Sequence, residues 1–91
     1  MIKADLIDKV AEAAKIPRQD AQNVVETVIQ TMKDALAAGD RIELRDFGVF
    51  LVKQRVARIG RNPKTKVEAP IPARKVPVFK AGRELKRIVN V

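Results

Sequence analysis

Residues 60–66 read GRNPKTK: three cations, an amide and a proline, with no acid. Cations at that density are suited to neutralising phosphate oxygens. The proline adds a second capability. Pro63 is a rigid apolar wedge with no N–H to desolvate, and Arg61, Asn62 and Lys64 are donors beside it. An Asn-Pro pair alone is an ordinary turn initiator. Flanked by donors, it also supplies what opening a base step from the minor groove requires: an apolar wedge and basic or amide side chains that read the groove. Unstacking costs a few kcal/mol, which contact with bent DNA offsets.

The basic character extends well beyond the tip. Residues 53–75 carry Lys53, Arg55, Arg58, Arg61, Lys64, Lys66, Arg74 and Lys75 against one acid, Glu68. The interspersed Val56, Ile59, Val67 and Ile71 are too few and too spread for a core. A two-stranded ribbon without a core is marginal in water. It is expected to gain order from a polyanion. Each leg of a hairpin from Ala57 to Ala73 reaches about 26 Å at strand rise, more than a duplex radius.

Charge is segregated along the chain. Residues 1–40 hold five cations and seven acids; residues 41–91 hold fourteen cations and four acids. Solubility does not require such segregation, whereas a polyanionic partner met by the C-terminal half does. Other chemistries lack their residues. The 91-residue chain has no Cys, His, Tyr or Trp, so thiolate chemistry and the usual neutral-pH base are absent. Asp5, Asp8 and Glu12 read as a solvated helix face. No spacing suggests a metal site, and no cofactor is implied. No apolar run approaches the length of a membrane span. The N-terminal MIKADLIDKV is charged throughout, unlike a secretory signal, and predicts a cytoplasmic protein.

These groups need elements to position them. Leu6, Ile7, Val10 and Ala14 predict a helix over 3–14, with a poor cap at Ala4. Pro17 suits the first turn of a second helix over about 18–38, and Gly39 suits its stop. The period then becomes two. RIELR reads as a strand, DFG as a turn with Gly48 at positive φ, and VFLVKQRVARI as one long strand. Pro70 and Pro72 mark exposed edges. RKVPVFK returns as a strand with Pro77 at an edge or bulge. AGRELKRIVNV closes as a short helix with Leu85, Ile88 and Val89 inward. The expected fold is α+β and forms one domain over 1–91. Residues 1–40 make a helical part and residues 41–91 a three-stranded antiparallel sheet, a ribbon arm at about 53–75 and a C-terminal helix.

So small a domain cannot readily cover both the helical stripe and a sheet that is apolar on both sides. The expected solution is a two-fold, intertwined dimer. Its core is assigned to Leu36, Leu44, Phe47, Phe50, Val52 and Phe79.

Over its whole length the chain resembles the HU/IHF family of bacterial nucleoid proteins. MIKADLIDKVA, DFGVF, GRNPKT and IPARKVPVFKAGRELK carry the likeness. Wedge insertion is already an established device of that family. The resemblance implies a homodimer or close heterodimer with helices below and two β-arms above. It also implies that Pro63 intercalates and that Arg55, Arg58, Arg61, Asn62 and Lys64 make arm contacts. Lys3, Arg74, Lys75, Lys80, Arg83 and Lys86 fall where the family's body and saddle meet phosphates. Three positions depart from the pattern. Lys66 replaces a glycine, implying a stiffer tip. Pro70 replaces a strand residue, implying weaker pairing. Asp46 replaces the first glycine of GFG.

The expected function is therefore a non-enzymatic, nucleoid-associated protein that bends and compacts double-stranded DNA with little sequence preference. Bent, nicked or mismatched duplexes are the favoured partners. A sequence-preferring, IHF-like factor is the alternative. An RNA or single-strand binder would need exposed stacking aromatics, and the three Phe read as internal.

Overall fold

Leu6, Ile7, Val10 and Ala14 recur at helical spacing. The computed structural model, which describes residues 1–61, 64 and 67–90, folds them into helix α1, Lys3–Ala14. Ile2 occupies the cap position, where it has no side-chain acceptor to offer. The Asp5 carboxylate instead accepts the Ile2 N–H at 2.8 Å, which satisfies one orphan donor. Lys15 ends the helix in the left-handed region, at φ 56°. Pro17 caps helix α2, Arg18–Ala37, from one position outside its first turn. At the far end Gly39 takes φ 86°. Its N–H donates to the Leu36 carbonyl at 3.0 Å and the Asp40 N–H to the Ala35 carbonyl at 2.9 Å, the paired bonds of a Schellman stop. The two helices pack around Ile7, Ala21 and Val25, with Val10, Ala11, Ile16 and Ile29 against them.

The rest of the described chain forms strands β1 (Ile42–Leu44), β2 (Gly48–Arg55), β3 (Arg58–Arg61), β4 (Glu68–Ile71) and β5 (Arg74–Ala81), then helix α3 (Arg83–Val89). Strands β1, β2 and β5 make an antiparallel sheet in that order, and β3 and β4 make a separate ribbon. The single long strand expected over 49–59 is thus interrupted, at Val56–Ala57. The return is interrupted opposite, at Pro72–Ala73. Pro72 has no N–H for a ladder, so pairing lapses beside it. Pro77 lies opposite Val52 on β5, an outer strand of the sheet, as expected of a proline.

The β1–β2 turn corrects one expectation. The positive φ falls on Asp46, at 64°, and not on Gly48. Gly48 is required by a close approach instead. A Cβ there would sit 2.5 Å from the Lys80 carbonyl oxygen and 2.6 Å from the Phe79 ring.

Among the described residues, Ile7, Ala21 and Val25 are the whole buried apolar set, and no large side chain is fully buried. The rings of Phe50 and Phe79 lie 4.6 Å apart and those of Phe47 and Phe79 5.3 Å apart, forming a small aromatic cluster. Yet Phe47 and Phe79 remain 43% and 39% exposed, and Leu44 is also exposed. Leu36, Phe50 and Val52 are half-buried. The stripe expected to face inward on α3 is open too: Leu85 is half-buried, but Ile88 and Val89 are exposed. One chain does not supply enough surface to cover them. Among the described residues, no helix is long and apolar enough to cross a membrane.

Candidate nucleic-acid interface

Strand register sorts the sheet's side chains into two faces. Val49 pairs with Lys80, Leu51 with Val78, Lys53 with Val76 and Arg55 with Arg74. Directly opposed residues of an antiparallel pair project to the same side, and alternate residues share a face. Lys53, Arg55, Arg74 and Lys80 therefore lie on one face with Val49, Leu51, Val76 and Val78. The other face carries Phe50, Val52, Pro77 and Phe79. Lys75 belongs to that second face, where it lines a groove of about 270 Å³ with Leu36, Ala37, Val52 and Pro77. The sequence neighbours Arg74 and Lys75 are thus not brought together.

The basic face continues into the ribbon. Arg58 stands at its base, across from Ile71. Arg55, Arg58 and Arg74 line a cleft of about 480 Å³ with Val56, Ile71 and Pro72. All three arginines are exposed. No ion pair among the described residues involves any of them. Higher on the ribbon the backbones of Arg61 and Glu68 pair, and Lys64 is exposed. Asn62, Pro63 and Lys66, the expected tip, lie outside the described residues. Pro70 sits opposite Ile59 within the paired ribbon.

The remaining expected cations occupy other elements. Arg83 and Lys86 are exposed on α3. Lys3 lies on the helical hairpin, its Nζ 3.3 Å from Glu26 Oε1. The hydrogen bond from Gln22 at 3.1 Å, with the hydrogen bond and charge of Lys3, holds the Glu26 carboxyl below the ordinary glutamate range. Sequence reading missed Glu26, because its partner lies 23 positions away and only helix packing joins them. It also missed the paired strand breaks at the arm base, whose one legible signal was Pro72. Among the described residues, no group of carboxylates is arranged to hold a metal ion.

This arrangement, a helical hairpin under a sheet that continues into a basic ribbon, has relatives. The family model for bacterial DNA-binding proteins matches residues 1–90. The chain is 51% identical over 89 residues to DNA-binding protein HU 1 of Bacillus subtilis (strain 168), covering 98% of this chain and 97% of that protein. It is 47% identical over 90 residues to DNA-binding protein HU of Staphylococcus aureus (strain COL), covering 99% and 100%. Among solved structures, Anabaena HU in a cocrystal with DNA superposes with a TM-score of 0.88 at 40% identity, covering 98% of this chain and 97% of that one. HU from Thermotoga maritima superposes with a TM-score of 0.68 at 30% identity, covering 98% of each chain. A match this complete in sequence and in element order places the chain in the bacterial DNA-binding protein family, alongside HU.

Proposed function

We propose that this protein is an architectural DNA-binding protein, without enzymatic activity, that works as a dimer in the cytoplasmic nucleoid. It grips double-stranded DNA with two basic arms and bends it with little sequence preference. The observation that carries this reading is that Lys53, Arg55, Arg74 and Lys80 share one face of the sheet and that Arg58 of the ribbon joins Arg55 and Arg74 in one cleft. Neutralised phosphates release their counterions, which is the largest source of such affinity. A relative of the same fold, the Anabaena HU protein, crystallises with DNA.

Within this reading the chain is one domain. Residues 1–40 serve dimerisation, and residues 41–91 supply the sheet, the arm and the closing helix. Lys3, Arg83 and Lys86 meet phosphates outside the arm. Arg61, Asn62, Lys64 and Lys66 hold the groove at the tip, where Pro63 enters a base step. Lys75 contributes from the groove beside Leu36, on the face opposite Arg74.

The test is duplex binding measured as salt is raised. With six or more phosphates neutralised, log affinity should fall against log salt with a slope of about −5 or steeper. A flat response would remove the reading. For the wedge, Pro63→Ala should reduce the measured bend angle while leaving affinity for a nicked duplex nearly intact. An unchanged bend would show that Pro63 is only a turn residue.

A further inference from the structure

The base of the arm contains an arrangement that is unfavourable without an anion. Arg55 and Arg74 are directly opposed across β2 and β5, at the last pair before the sheet ends. Like charges in directly opposed positions destabilise a strand pair. The next residues, Val56–Ala57 on one strand and Pro72–Ala73 on the other, carry no ladder. Pairing resumes at Arg58 opposite Ile71, and Arg58 adds a third guanidinium to the same cleft. The lining is completed by Val56, Ile71 and Pro72, so no carboxylate lines the cleft among the described residues. The acid of the ribbon, Glu68, is in register with Arg61, three pairs further out.

We propose that this cleft is a binding site for a free phosphate oxyanion, inorganic phosphate or a short polyphosphate, occupied when DNA is absent. The bound anion fixes the angle between ribbon and body. Guanidinium groups offer forked donors that pair bidentately with two oxygens of a tetrahedral oxyanion, whereas chloride is a single acceptor centre and cannot match the fork. Two of the three groups come from the sheet and one from the ribbon, so an anion between them bridges two units that no strand pairing joins. The ribbon is tied to the body only through the two unpaired links. An anion held at that point therefore limits its orientations, and removing the anion restores them. The inference rests on the proposed DNA-binding role only in that the same arginines then face two competing ligands. DNA must displace the anion to use them.

The experiment uses the full chain without DNA. Sodium phosphate, and separately tripolyphosphate, is titrated at constant ionic strength against a sodium chloride reference. The arginine Nε–H signals and the backbone relaxation of residues 58–71 are followed by NMR. The expected result is a saturable shift of the Arg55, Arg58 and Arg74 signals with phosphate and not with chloride. Slower motion of the ribbon should accompany it. Arg74→Gln should abolish saturation, while Lys9→Gln, on α1, should retain it. Amide spectra of both variants report whether the fold is intact. In a second arm, phosphate at about twice its dissociation constant should weaken duplex binding about threefold per cleft by mass action, beyond the chloride control. Linear shifts shared with the exposed cations of α3, or equal effects of phosphate and chloride, would overturn the inference. Either outcome would leave intact a steep salt dependence of DNA binding, so the two proposals fail separately.

Discussion

Asp46 and Gly48 show how two residues of one turn serve different physical needs. Asp46 takes the left-handed conformation at φ 64°, a region in which Asp is tolerated better than most side chains. Gly48 is in ordinary extended backbone but lies against the Lys80 carbonyl and the Phe79 ring. Gly48→Ala should therefore destabilise by about 1–3 kcal/mol, because neither a paired backbone nor a packed ring can retreat cheaply. Gly39→Ala tests the other mechanism. A Cβ at Gly39 meets nothing within 4 Å, so its cost of about 1 kcal/mol should come from the positive φ alone. Thermal denaturation of both variants checks the order. Glu26 offers a titration test. Its carboxyl is held below its ordinary value of 4.5, so its stabilising contribution is present above that value and is lost as pH falls through the folded-state value. Glu26→Gln should lower Tm slightly in the neutral region, and its difference from the parent should close as pH falls through the folded-state value, as read by Tm against pH.

At the scale of elements, the helices depend on packing more than on their ends. The first turn of α1 is secured by Asp5 reaching back, while Ile2 offers no acceptor to the helix. Ile2→Asn should therefore raise stability by about 0.5–1 kcal/mol through a new cap, with a corresponding rise in Tm. The ion pairs Arg18–Asp8 and Lys3–Glu26 cross the hairpin on its exposed side and add little beside the Ile7, Ala21 and Val25 contacts. The sheet and the ribbon differ in kind. Strands β2 and β5 pair over eight consecutive positions and carry the aromatic cluster. Strands β3 and β4 pair over four and expose Ile59 on their surface. The ribbon accordingly belongs to the low-stability end of the molecule, where amide exchange is fastest.

At the scale of the molecule, the single chain is open. Its radius of gyration is 18.8 Å, where a compact domain of this length would have about 12 Å. Among the described residues, the buried apolar ones are three small or medium side chains of the helical hairpin, while Leu44, Phe47, Phe79, Ile88 and Val89 stay exposed. A second copy that covers the aromatic cluster would bring that surface out of water, at about 25 cal/mol per Å². Folding and association would then be one equilibrium. Tm should rise with protein concentration, and Phe47→Ala or Phe79→Ala should steepen that dependence. A Tm independent of concentration over a hundredfold range would show that the monomer is stable by itself.

The sequence alone determined the element types and most of their boundaries. Helical and strand periodicities are local, and Gly39, Pro72 and Pro77 act through their own backbones. It also determined the charge segregation and the shortage of core, because both follow from residue counts. It could not place the positive φ of the turn, since Asp46 and Gly48 both tolerate turns and only cross-strand packing against Phe79 decides between them. Nor could it separate Arg74 from Lys75, which adjoin in sequence but project from opposite faces once register with Arg55 and Gln54 is set. The Lys3–Glu26 pair and the convergence of Arg55, Arg58 and Arg74 are likewise products of tertiary structure. Each joins residues far apart in the chain, and only the packing of α1 on α2 and the pairing of β2 with β5 bring their charges within reach.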